Sequence, residues 1–342
     1  MPLPVRIHLL LIMLCCCGCY TINSAVEFSS LYLSRNDLQS VLRDSKTPEN
    51  IRHKLLQTKE LMAFAEENGL HSRGAYESFI QLDRPVVSYI FSASPPFEFK
   101  SETWWFPFVG SVPYLGYFEK SERDKKAYEY EKLGFDVYLG GAAAFSSLGW
   151  FEDPLFSSML KRPNYAFANL ILHELVHRTI WVSGFPKFNE NLATFLADVL
   201  TREYLVQKKQ ENALRLYESR KRDRRLFQMW VISLKGELKR LYANPTLMPL
   251  SALHAEKERI IKTYSSEKKP KFEVVDFVEG SKWNNATIMA SSLYQPDLEL
   301  FKRAYECYTG RTKGFIEDLR LRIDKARDPF LALKKLCLKE GS

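Results

Sequence analysis

Apolar residues recur at three- and four-residue spacing through most of this chain, and that period predicts helices. Residues 25–70 carry two such patterns, AVEFSSLYLSRNDLQSVLRD and IRHKLLQTKELMAFAEENGL, joined at Pro48, with charges interspersed as on surface helices packed against a larger body. From Tyr89 to Tyr117 the period is lost. Trp104, Trp105, Phe106, Pro107, Val112, Pro113, Tyr114 and Gly116 crowd together there, which predicts short strands and fixed turns. A charged helix over 119–132 stops at Gly134, and Phe135–Leu139 reads as a strand. Beyond 164 the helical period returns, broken at Asn244-Pro245 and Pro249, by a short strand expected at EVVDF (273–277), and between two late helical patterns at Tyr294-Gln295-Pro296-Asp297. The sum is a mostly helical α+β chain with a small sheet.

The most informative apolar helical run is NYAFANLILHELVHRTIWVSGFPKFNENLATFLAD (164–198). His173 and His177 stand four residues apart, so both rings leave one helix face and can share a metal ion. Glu174 lies beside that face, where a general base for a metal-activated water would stand. After a break at Gly184 and Pro186 the next helical pattern opens with Asn189-Glu190. A helical hairpin can bring Glu190 back over the two imidazoles as a third protein ligand, leaving a fourth position for water. The competing reading is a buried helix whose histidines make ordinary hydrogen bonds. Asn169 and Thr194, each about one turn from a ligand, are candidates for orienting His173 and Glu190.

The first nineteen residues, MPLPVRIHLLLIMLCCCGC, place Arg6 ahead of an apolar run broken only by His8. That run is shorter than the roughly 20 residues needed to span a bilayer, and no similar stretch follows, so it reads as a signal segment. Gly18-Cys19 resembles a bacterial lipoprotein processing site, with residues 1–18 as signal peptide, Cys19 as the acylated first residue, and 19–342 as one domain. Cys16 stands where such sites usually carry Leu, and simple secretion is the alternative. Four of the six cysteines lie in this leader; Cys307 and Cys337 can make one bridge but no disulfide scaffold. The fold therefore stands on its core, and 46% hydrophobic residues suffice for a large one. His53, His71 and His254 have no partner at metal-ligand spacing.

The net charge of +8 is concentrated in a helical arm over 201–240, with 12 Lys or Arg against 5 Asp or Glu. No zinc-finger or RNA-binding signature accompanies it, which argues against nucleic acid. Attraction to anionic lipid headgroups is more plausible for a tethered protein, and a solvated helix face more so still. Upstream of the metal helix, Gly140-Gly141-Ala142-Ala143-Ala144 has almost no side chain, so a strand there can offer its edge to an extended peptide. Close packing of that strand explains the small residues equally well. Asn284 and Asn285 are candidates for binding a peptide backbone and Tyr294 for donating to an oxyanion, with helix capping and packing as the competing roles.

These stretches together resemble the bacterial lipoprotein-type zinc aminopeptidases, a gluzincin-like family. The resemblance runs from Gly18-Cys19 through VPYLGYF (112–118), GFDVYLGGAAAFSSLGWFEDPLFSSML (134–160), HELVH (173–177) and FNENLATFLAD (188–198) to WNNATIMASSLY (283–294). It implies a zincin-like fold whose edge strand flanks the active-site helix, Zn2+ held by His173, His177 and Glu190, Glu174 as general base, and a peptide substrate. It also implies a lipid-anchored place in the cell envelope, facing the periplasm. The His177-to-Glu190 spacing is shorter than in thermolysin-like enzymes. An aminopeptidase must also bind the free amine, for which Glu152 and Asp153 are candidates by location. A zinc endopeptidase, a nonpeptide envelope hydrolase and an inactive tethered binding protein are the alternatives; oligomeric state is not legible.

Overall fold

A computed structural model describes residue 27 and residues 29–72, 74–106, 110–142, 152–243, 248–292, 298–308, 311–323 and 326–337. In chain order these form β1 (Asn36–Asp37), α1 (Leu38–Arg43), α2 (Glu49–Glu67), β2 (Ser78–Ile80), β3 (Ser88–Ser94), β4 (Trp104–Phe106), β5 (Gly110–Val112) and β6 (Leu115–Tyr117). Next come α3 (Lys120–Lys132), β7 (Asp136–Ala142), β8 (Leu155–Phe156) and the one-turn α4 (Ser157–Leu160). The remainder is helical: α5 (Asn164–Thr179), α6 (Pro186–Gln207), α7 (Glu211–Tyr242), α8 (Leu250–Ser266), α9 (Asn285–Ser292), α10 (Glu299–Glu306), α11 (Thr312–Ile323) and α12 (Pro329–Lys334). The mostly helical α+β expectation holds. No described helix is long and apolar enough to cross a membrane.

The aromatic stretch forms the expected short strands because alternating large rings and glycines suit pleated, half-buried edges. Strands β6, β3 and β7 make an antiparallel sheet with β3 central, so that Ile90 lies between Gly116 and Gly140. β4 and β5 form a separate hairpin, and β1, β2 and β8 a small mixed sheet.

Three apolar clusters follow from these patterns. The largest joins Leu172, Leu175 and Val176 of α5 to Leu192 and Leu196 of α6, with Phe301 and Phe315 packed behind them. The second gathers Trp230 and Leu234 of α7, Ile260 and Tyr264 of α8, and Trp283 and Ile288. Phe91, Leu115 and Val137 of the sheet bury against Ala127 of α3 to make the third. The first cluster fixes the face of α5 that turns inward, leaving the histidine stripe at its margin.

Three expectations change. The first helical pattern is interrupted, because Asp37 accepts the Ser40 backbone N–H at 2.7 Å and starts α1 only at Leu38. The basic arm is not one helix: α6 runs on to Gln207, and Lys209 turns the chain with a left-handed φ of 54° before α7 begins. Residues 273–277 are not a strand. Asp223 of α7, fully buried, accepts the backbone N–H groups of Glu273, Val274 and Val275 at 2.8, 2.7 and 3.0 Å, and so replaces the sheet partner that an extended segment would need.

Burial pushes the Asp223 carboxyl up, but those three N–H donors and Arg222 more than offset it and leave its pKa below the ordinary 3.8. A depressed carboxylate stabilises the fold fully above its unfolded pKa, and the contribution is lost as pH falls through the folded value. Asp223→Asn, which keeps size but removes the charge, is expected to cost roughly 2–3 kcal/mol at neutral pH. Thermal melts should show the difference from wild type shrinking below about pH 3.8.

Candidate metal centre

The centre is built on the α5–α6 hairpin. The start of α5 has no side-chain cap of its own. Instead the buried Lys54 of α2 donates to the Arg162 carbonyl at 2.8 Å and to Asn164 Oδ1 at 2.7 Å, and Gln57 donates to the Asn164 carbonyl. With only residues 180–185 between the helices, the turn must be tight. Gly184 takes a left-handed φ of 81° and Pro186 opens α6. Asn189, almost fully buried, clamps the turn from the far side: Val182 N–H donates to its Oδ1 and its Nδ2 donates to the Val182 carbonyl, both at 2.9 Å. Sequence reading placed Asn189 at the helix start without a role; its position beside Glu190 was the available signal.

With the turn fixed, Glu190 faces the histidine stripe. The Nε2 atoms of His173 and His177 lie 3.1 Å apart, and Glu190 oxygens stand 3.6 and 3.3 Å from them. The two rings are nearly perpendicular, with centroids 4.7 Å apart. Among the described residues, this is the group of histidine, cysteine and carboxylate side chains arranged to hold a metal ion. Bonds of about 2.0–2.1 Å at tetrahedral angles require neighbouring donor atoms about 3.3 Å apart; the Nε2 pair and the distance from each imidazole to a Glu190 oxygen lie near that value, His173 meeting Oε2 and His177 meeting Oε1. The donor set and its spacing fit Zn2+. His177 Nδ1 is buried without a hydrogen-bond partner among the described residues, and the Trp181 ring packs edge-on against this imidazole at 5.5 Å.

Burial pushes the Glu174 carboxyl above the ordinary 4.5; the two imidazoles pull it back, while Glu190 and Asp153 push it further up. Burial also acts upward on Glu190, but hydrogen bonds from His173 and His177 and their charges bring it down to about 2. The two neighbouring carboxyls are thus pushed in opposite directions. Tyr76 was passed over in the sequence. It is buried near Glu174, takes a left-handed φ of 56°, and burial and then the Glu174 charge push its hydroxyl pKa well up. A tyrosine in that backbone region is uncommon, and it was invisible as a pattern because neighbours of Tyr76 in sequence are not its neighbours in space.

His173, Glu174 and Glu190 line one end of a cleft of about 1400 Å³ that runs between α5, α6 and α7 and also touches Ala142 at the end of β7. Thr194 lines it as well, but makes no hydrogen bond to Glu190. Asn169 does not orient His173: its Nδ2 donates to Tyr217 Oη at 3.0 Å and to Thr201 Oγ1 at 3.2 Å, tying α5 to both neighbouring helices.

Several expected substrate contacts are occupied by the fold. Asn285 is fully buried and its amide donates to the Pro95, Pro96 and Glu98 carbonyls. Asn284 donates to the Val137 carbonyl and accepts from Thr287 N–H, so this pair anchors α9 to the sheet and has no free group for a peptide. β7 is an edge strand, yet an added Cβ on Gly141 would lie 2.5 Å from Val86 and one on Gly140 would meet the Tyr138 ring, so their smallness serves internal packing. Asp153 is buried and paired with Arg178 at 3.8 Å, while Glu152 is exposed; neither lines the cleft. Ala143, Tyr294 and Cys19 lie outside the described residues. Of the remaining histidines, His71 meets Arg320 at 2.6 Å and His254 packs against Phe97.

A hairpin of two helices thus converges two imidazoles and a carboxylate that could hold a metal ion, with a buried carboxyl alongside and a long cleft leading away. The comparison with known families points to the hydrolytic class. Residues 19–328 match the family described as "Putative aminopeptidase", and the chain belongs to that family. No curated protein and no solved structure matches it. Family membership supports a peptidase acting on peptide substrates.

Replacing the carboxylate by its amide tests the assembled geometry. Glu190→Gln is expected to weaken zinc retention at this group, because a neutral amide is a poorer zinc donor. Asn189→Ala should weaken zinc retention in the same direction through the turn, read by elemental analysis after dialysis.

Proposed function

We propose that this protein is a zinc-dependent aminopeptidase in which His173, His177 and Glu190 hold the metal and Glu174 is the general base. The convergence of both imidazole Nε2 atoms, 3.1 Å apart, on the Glu190 carboxylate, whose oxygens stand 3.6 and 3.3 Å from them, carries the reading. When bound, Zn2+ supplies Lewis acidity toward water and the peptide carbonyl. Glu174, its pKa raised by burial, takes the proton from the attacking water and returns it to the leaving amine. The apolar packing behind α5 holds Glu174 and the two histidines at fixed spacing, so little motion is needed during proton transfer.

A zinc endopeptidase is the second reading, favoured by one observation: Glu152 and Asp153 do not line the cleft, so neither stands ready to bind a free amine. Export and lipid attachment at Cys19 belong to the same proposal. The disulfide that holds Cys307 suits an oxidising compartment, and the family match begins at Cys19.

Purified mature protein should contain about one zinc and hydrolyse peptides with a free N-terminus, and Glu174→Gln should keep the zinc while losing about 10²–10⁴-fold in kcat. Cleavage of N-blocked peptides at comparable rates would move it to the endopeptidases; a zinc-free protein after nonchelating purification would sink both readings. Cys19→Ser should shift the protein from the membrane to the soluble fraction if the acyl anchor is present.

A further inference from the structure

The cleft that begins at the metal centre ends on a different chemistry. One continuous face of α5 and the residues before it lines it, from His173 and Glu174 back through Leu170, Asn169 and Ala166 to Arg162. Facing Arg162, α7 contributes Arg220 and Arg224 to the same wall. Two other cations that line the cleft have partners: Lys221 pairs with Asp198 at 2.6 Å, and Arg202 pairs with Glu218. Among the described residues no carboxylate pairs with Arg162, Arg220 or Arg224. Arg220 rests over the Phe277 ring at 5.6 Å, and Arg162 Nε is buried with no hydrogen-bond partner.

Asp198, the carboxylate that Arg224 senses, is already taken by Lys221 and the Tyr217 hydroxyl, so the three guanidinium groups keep both mutual repulsion and donor capacity unspent. Burial depresses the pKa of Arg162, and the neighbouring Arg220 and Arg224 depress it further. Nor is Arg162 a loose surface side chain, because Lys54 fixes its backbone carbonyl from behind. The first turn of α5 carries no acidic residue, so the positive end of that helix adds to the same field.

We propose that Arg162, Arg220 and Arg224 form a carboxylate subsite that holds the anionic end of a short peptide while its scissile bond lies at His173, Glu174 and Glu190. Nine helical steps separate Asn164 from His173, about 14 Å at 1.5 Å each. An extended peptide covers that distance in about four residues. The substrates are thus oligopeptides of about four to six residues, anchored by the C-terminal carboxylate or by an acidic side chain at that distance from the cut. The subsite rests on the peptidase reading for its purpose, but its binding can be measured separately.

Isothermal titration of the zinc-loaded full chain carrying Glu174→Gln should compare three pentapeptides: a free acid, its C-terminal amide, and the amide with Glu as fifth residue. The free acid, the Glu-bearing amide or both should bind at least about tenfold more tightly than the neutral amide. Preference for the free acid alone identifies the C-terminus as the source; preference for the Glu-bearing amide identifies the side chain. Adding Arg220→Gln or Arg224→Gln should bring the ratio toward one without lowering Tm, and the exposed position of Arg224 makes that variant safe for folding. Equal affinity for all three peptides, no binding of any, or a preference that survives both substitutions overturns the subsite. Wild-type protein that shows the preference yet cleaves none of them overturns the peptidase reading instead.

Discussion

The site depends on one buried amide. Asn189 both donates to and accepts from the backbone of Val182, so a single side chain satisfies a carbonyl and an N–H that would otherwise be stranded in a tight turn. That reciprocity is directional. Only when the turn closes in this register does the next residue, Glu190, meet the two imidazoles that α5 presents. The short interval from His177 to Glu190 is a consequence: six connecting residues leave no slack, and the geometry is held by Gly184, Pro186 and the clamp. Phe188, the residue before the clamp, is fully buried against Phe301, so the core and the group of His173, His177 and Glu190 are fixed together.

Charge is distributed along the cleft in a way that follows from the same hairpin. Glu174, Glu190 and the nearby Asp153 concentrate negative charge at one end, with Arg178 compensating Asp153 from outside the cleft. Asp198, Lys221 and Tyr217 form a neutralised middle through a 2.6 Å ion pair and the tyrosine hydroxyl bonded to the same carboxylate. The arginines stand beyond them. A peptide with a free amine and a free carboxylate has the complementary polarity, and low-dielectric walls strengthen that match relative to open solvent.

Much of this was legible in the chain because helical spacing is a local property. The period of 3.6 fixes which residues share a face, so His173, His177 and the stripe through Asn169 could be grouped without coordinates. The break at Gly184 and Pro186 announced a hairpin, and Glu190 followed at its mouth. What the pattern cannot carry is the identity of the surface opposite. Asn284 and Asn285 looked like free amides ahead of a helix, whereas four backbone carbonyls brought from elsewhere in the fold, with the Thr287 N–H of the same helix, consume them. Asp223 looked like one acid in a basic run, and it is the anchor for a segment fifty residues later. Arg220 and Arg224 read as a solvated helix face for the same reason: α7 turns that face toward α5, which nothing local specifies.

The glycines before α5 show how one residue type supports opposite inferences until packing is known. Side chains missing at Gly140 and Gly141 suggested room for a substrate strand, yet Tyr138 and Val86 already occupy the space that a Cβ would take. The strand nevertheless delivers Ala142 to the cleft wall, next to the helix that carries His173. Close internal packing is therefore what brings the end of β7 to the site, since larger residues at 140 and 141 would have to displace Tyr138 and Val86. Packing and access are not competing explanations here: the first sets where the second becomes possible.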